Sequence, residues 1–104
     1  MLKIAKQVAK KFFRKTYHAK VIRTSEFFDE AWYKKTYTIP KFQNASKHYL
    51  NEGFKLGYNP SRIFSTSEYL KANEDVAASG INPLLHYELS GKYEFRFFDC
   101  VKDV

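Results

Sequence analysis

Asn82-Pro83-Leu84-Leu85-His86-Tyr87-Glu88-Leu89-Ser90-Gly91 reads as one short helix: an asparagine cap, a proline at the first helical position and a glycine as left-handed stop eight residues on. Asn44, His48, Tyr49 and Gly53 stand at the same relative places 38 residues earlier. Upstream, Phe28 and Tyr33 match Phe64 and Tyr69 at a shift of 36, so the second copy has gained two residues, around Ser79-Gly80. A period of 36–38 residues is the size of one supersecondary unit, commonly a helix pair stacked on its neighbour.

Local signals agree. Asp29 caps the helix that carries Tyr33, and Ser65-Thr66-Ser67-Glu68 forms a capping box before the helix that carries Tyr69. The spacing predicts helices at 2–22, 30–37, 45–52, 66–73 and 83–90, with Gly57-Tyr58-Asn59-Pro60-Ser61 as the turn between copies. The expected fold is all-α: a basic amphipathic helix over 1–25, repeats over 26–61 and 62–98, and a tail over 99–104. Short helices bury little surface alone, so Trp32, Tyr33, Tyr37, Tyr49, Phe54, Tyr69, Tyr87 and Phe95 are expected to pack between units. Two repeats fall short of the three a stacked array normally needs, so either the N-terminal helix caps the stack or the chain is part of something larger.

The net positive charge belongs to one end. Residues 1–25 hold eight basic side chains and no acid, while the other 79 carry ten basic and eleven acidic groups; the net +7 is therefore +8 from the first segment and −1 from the rest. Within that segment Leu2, Ala5, Val8, Ala9, Phe12 and Phe13 recur at helical steps, with Lys3, Lys6, Lys10 and Arg14 on the opposite side. Together with Lys11 and Lys15 these residues suit the headgroup region of an anionic membrane. Binding of nucleic acid or another polyanion, and simple packing on the domain, are the rival readings. The dominance of lysine weighs against base reading, where arginine makes the better bidentate contact.

At 104 residues the chain is one small domain or a fragment of something larger, too short for a nucleotide-binding transfer fold with a substrate wall. The single Cys100 excludes an internal disulfide and a cysteine-rich zinc site, and no C-terminal prenylation box surrounds it. No apolar run reaches the length of a membrane span and no secretory signal is recognisable, so a cytoplasmic or membrane-peripheral location is expected. The four glycines build no phosphate-cradling loop or nucleophile elbow. His48 and His86 could converge on a metal ion, but no third ligand recurs beside them; a hydrogen bond to a helix end or loop carbonyl is the expected role. Among the acids, Asp29 and Glu30 fit a helix start, and Glu74-Asp75 lies beside a helix end. We therefore expect no catalytic residue, no metal and no cofactor.

The string Phe64-x4-Tyr69-Leu70-x2-Asn73-x-Asp75-Val76-Ala77-x2-Gly80-Ile81-Asn82-Pro83-Leu84-x-His86-Tyr87-x3-Gly91 resembles the short helical repeat found beside glycosyltransferases of bacterial capsule, O-antigen and rhamnan synthesis. The resemblance covers about residues 27–96 and runs in the first copy through Phe28-Asp29-x3-Tyr33-x3-Tyr37 and His48-Tyr49-Leu50-x2-Gly53. It departs at Thr38-Ile39-Pro40-Lys41-Phe42, which replaces the Asp-Val-Ala stretch, and at Phe95-Arg96-Phe97-Phe98, which replaces the usual ending and is expected to close the stack. The resemblance implies a docking or targeting module, peripheral to the inner membrane, whose partner is a glycosyltransferase or another polysaccharide-assembly protein. A glycan-binding fragment of such an enzyme is the alternative it leaves open.

Overall fold

The computed structural model describes residues 14–96, which are helical and contain no β-strand. Lys3, Lys6, Lys10, Lys11, Phe12 and Phe13 lie outside the described residues, as do Phe97, Phe98 and Cys100. Residues 14–24 form α1; α2 is Glu30–Thr36, α3 Ala45–Asn51, α4 Thr66–Ala72, α5 Glu74–Ser79 and α6 Pro83–Leu89. Tight 3-10 turns follow α3 at Gly53–Leu56 and α6 at Gly91–Glu94.

Four of the repeat helices, α2, α3, α4 and α6, start on a side-chain cap, at matching places in the two copies. Asp29 accepts from the Trp32 amide and Ser65 from the Glu68 amide; Asn44 accepts from the Lys47 amide and Asn82 from the Leu85 amide. The likeness also begins earlier than Phe28. Ser25 and Ser61, both buried, use Oγ to accept from the amide two residues on, at 3.1 Å from Phe27 and 3.3 Å from Ile63.

The ring geometry recurs as well. Phe28 lies 5.8 Å from Tyr33 and 6.4 Å from Tyr49, while Phe64 lies 5.5 Å from Tyr69 and 6.2 Å from Tyr87. Tyr33 meets Tyr49 edge-on at 5.9 Å, and Tyr69 meets Tyr87 edge-on at 6.1 Å. These rings form a core with Ile22 of α1, Val76 of α5 and Leu84 and Leu85 of α6.

The turn between copies ties both together. The Pro60 carbonyl accepts from the Asp29 amide at 2.9 Å, and Asn59 Oδ1 accepts from the Thr66 amide at 2.9 Å. Thr66 Oγ1 donates to the Tyr58 carbonyl at 2.6 Å, so Tyr49 must be the donor in its 2.9 Å bond to Thr66 Oγ1. Asn82 adds a bond from Nδ2 to the Tyr49 carbonyl at 3.2 Å.

Four expectations from the sequence need correction. The spacing places no helix between 73 and 83, where α5 stands; Asn73 precedes it, Glu74 and Asp75 favour its first turn, and Gly80 ends it, whereas Pro40 stands in the corresponding region of copy one. Gly53 and Gly91 are not left-handed stops. They open the 3-10 turns, and a Cβ on either would collide with the hydroxyl oxygen of Tyr33 or Tyr69. The left-handed residues at this place are Gly57 and, 38 positions on, Phe95, whose ring is 80% exposed and does not pack between units. Trp32, Tyr37, Phe54 and Tyr87 are half-buried, while Tyr33, Tyr49 and Tyr69 are fully enclosed.

Two stability predictions follow from the close approach and the backbone. Gly91→Ala should cost about 1–3 kcal/mol by overpacking and Tyr69→Phe about 1 kcal/mol through its lost hydrogen bond. The double variant should be less destabilised than the sum by at least ~0.5 kcal/mol, because removing the oxygen makes room for the methyl group; strict additivity in chemical denaturation would refute the steric account. Phe95→Gly, which copies the first repeat, should stabilise by up to about 1 kcal/mol, since an exposed L-residue at φ 57° carries left-handed strain.

Candidate functional site

His48 and His86 stand at matching places in α3 and α6, and each meets the tyrosine of its own helix pair. Tyr33 Oη lies 2.6 Å from His48 Nδ1, and Tyr69 Oη lies 2.8 Å from His86 Nδ1. Glu52 Oε2 is 3.6 Å from His48 Nε2, which favours the proton on Nε2 and makes Tyr33 the donor to Nδ1. The expected partner, a helix end or loop carbonyl, is thus replaced by a phenol hydroxyl from the same repeat. Among the described residues no group of three histidine, cysteine or acidic side chains is placed to hold a metal ion.

The pairs differ in what covers them. In copy one Tyr37 and Tyr58 stack face to face at 3.9 Å beside Tyr33, and Tyr58 also lies over His48. At the corresponding places of copy two stand Asn73 and Arg96. Arg96 donates to Asn73 Oδ1 at 3.0 Å and grips both carboxylate oxygens of Asp75 at 2.8 Å, with Glu94 at 3.0 Å. An aromatic stack has been exchanged for a charged clasp. The Arg96 guanidinium holds the Asp75 carboxyl at about 2, well below its ordinary value. Burial and, secondarily, the charge of Arg96 lower His86 from its usual 6.5.

The sequence-predicted acids do not meet in a cleft. Asp29 is a helix cap, Glu30 pairs with Lys34 at 3.5 Å, Asp75 is held by Arg96, and Glu74 is exposed in the first turn of α5. A carboxylate that sequence reasoning missed is Glu88, in a cleft of about 470 Å³ between α1 and α6 that Tyr17 and Tyr93 help to wall. Both its oxygens are engaged, by Ser25 Oγ at 2.6 Å and Lys92 Nζ at 3.0 Å, and so it ties α1 to the second repeat. The recurrence of serine at 25 and 61 is the sequence signal that points there.

Of the basic segment, Arg14 and Lys15 are exposed at the described start of α1, and Lys20 and Arg23 are exposed farther along it. Ala19 and Ile22 are buried on the opposite side, against the repeats. No helix of the described residues is long and apolar enough to cross a membrane. Pro83 is buried at the start of α6, next to its cap Asn82. The chain matches none of the family models, curated proteins or solved structures with which it was compared.

The tyrosine–histidine pairs set a pH window. Burial raises Tyr33 and Tyr49 well above the ordinary tyrosine value, and Tyr69 to about 12. Tyrosines that stay protonated in the fold ionise first in the unfolded chain, so stability should fall as pH rises above 10. His86 works the other way: the unfolded chain takes up its proton first, so stability should also fall as pH drops below 6.5. Urea denaturation across pH 5–11 should show a plateau between these limits, and His86→Asn should remove its share of the acid limb and leave that of His18, which burial and the charge of Arg14 also lower. A continued rise in stability above pH 10 would contradict the buried-phenol assignment.

Proposed function

We propose that this chain is a non-catalytic helical repeat module, docked on an anionic membrane surface by its basic N-terminal segment and serving as a targeting or docking element in bacterial cell-surface polysaccharide assembly. The observation that carries the membrane part is the segregation of charge: +8 on residues 1–25 and −1 on all the rest. Arrangement of α1 supports it. The described end of that helix is fixed to the repeats by Ala19, Ile22 and the Ser25–Glu88 bond while its cations face outward, so attraction at the basic segment is transmitted to the whole domain. The pathway, and a glycosyltransferase as partner, rest on the resemblance of residues 27–96 to repeats that accompany such enzymes. The engagement of Glu88, Asp75 and both histidines within the fold supports a binding role over a catalytic one.

In vesicle sedimentation the full chain should bind phosphatidylglycerol-containing bilayers and ignore neutral ones. Changing Lys6, Lys10 and Arg14 to glutamate should abolish binding, and Phe12→Ser with Phe13→Ser should weaken it at unchanged charge. Binding indifferent to lipid charge, or tight association with RNA or DNA without vesicle binding, would transfer the basic segment to the polyanion reading.

A further inference from the structure

Copy two stacks on copy one through an apolar start of its second helix: Leu84 and Leu85 are buried, and the Asn82 amide donates to the Tyr49 carbonyl of the preceding repeat. Copy one carries Ser46 and Lys47 at the corresponding positions, with Asn44 as the cap. No repeat precedes it there among the described residues; α1 occupies the place with its Lys20 and Arg23. Between them lies a cleft of about 260 Å³ rimmed by Lys20, Arg23 and Lys47, with Thr16, Asn44 and Ser46 completing its polar wall. It holds three cations and no acid.

Hydrogen bonding in this cleft is lopsided. Asn44 Oδ1 already accepts from Ser46 Oγ at 2.6 Å and from the Lys47 amide at 3.0 Å. Unlike Asn82, Asn44 has no acceptor for its Nδ2 among the described residues. Lys20, Arg23 and Lys47 form no ion pair among the described residues either. The surface therefore offers donors and positive charge while Asn44 Oδ1 is engaged internally, an arrangement that suits a phosphate oxygen cluster.

We infer that the α1–α3 cleft, through Lys20, Arg23, Lys47 and Asn44, is a binding site for the phosphodiester headgroup of an anionic lipid, so that the body of the domain and not only its basic N-terminal segment rests on the bilayer. This inference rests on the membrane reading and adds to it a contact that the N-terminal segment does not supply, Lys47 in the first repeat. An apolar repeat-stacking surface has here been replaced by one suited to anions.

The test uses the full chain and vesicles of phosphatidylcholine with 30% phosphatidylglycerol. Lys47→Gln should weaken partitioning about fivefold, the factor equivalent to ~1 kcal/mol for a basic residue at an anionic surface. Lys20→Gln, Arg23→Gln and Lys47→Gln together should weaken it about a hundredfold. Lys71→Gln, an equal loss of charge at an exposed site outside this cleft, should leave partitioning unchanged. Circular dichroism and thermal unfolding of all variants should match the parent, since the residues changed are exposed. Failure of the parent to bind would overturn the membrane reading itself. Parental binding that is lost on reversal of Lys6, Lys10 and Arg14 but insensitive to Lys47→Gln and to the triple change would overturn only the cleft. Equal weakening by Lys71→Gln would reduce the effect to net charge, and preferential retention of an RNA oligonucleotide or of inorganic phosphate over vesicles would also overturn the lipid assignment.

Discussion

Each repeat is built round a tyrosine hydroxyl held where a side chain would otherwise be. Tyr33 Oη reaches into the space a Cβ on Gly53 would need, and Tyr69 Oη does the same at Gly91; each then meets a histidine Nδ1 at 2.6 or 2.8 Å. Three residues separated along the chain are thus mutually constrained. A buried phenol needs a partner, the histidine supplies one, and only glycine lets the turn after the histidine helix come close enough. The phenol rings in turn organise Phe28 and Tyr49 in copy one and Phe64 and Tyr87 in copy two.

Around that shared centre the copies have diverged according to their neighbours. Tyr49 lies between the repeats, is fully enclosed and bonds Thr66, whereas Tyr87 packs edge-on against Phe27 and stays half-buried. The stack of Tyr37 on Tyr58 gives way to Asn73, Arg96 and Asp75. A charged clasp tolerates water where an aromatic stack benefits from its exclusion. Leu84 and Leu85 against Ser46 and Lys47 tell the same story for the starts of the second helices.

The all-α class, the caps at Asp29, Asn44, Ser65 and Asn82, and the matching of His48 with His86 were legible because each depends on residues close in sequence. What escaped depended on spatial neighbours. Gly53 and Gly91 looked like helix stops, since their real constraint is a tyrosine hydroxyl some 20 residues away in the chain. Helix α5 was hidden by its length, and Glu88 by having one partner just past the end of α1 and the other in the following turn. The amphipathic pattern upstream of Arg14 concerns residues outside those described, and the proposed surface chemistry rests there on the sequence.

The turn from Gly57 to Ser61 has a consequence for cooperativity. Its Pro60 carbonyl holds the start of α2, its Asn59 side chain and Tyr58 carbonyl hold the start of α4, and the Tyr37 hydroxyl accepts from the Asn59 amide. Opening either helix pair releases polar groups that the other needs satisfied, so neither pair has a half-formed state of low energy. Repeat arrays often fray one unit at a time. Here the linker is shared machinery, which favours the two repeats gaining and losing their structure as a single folding unit.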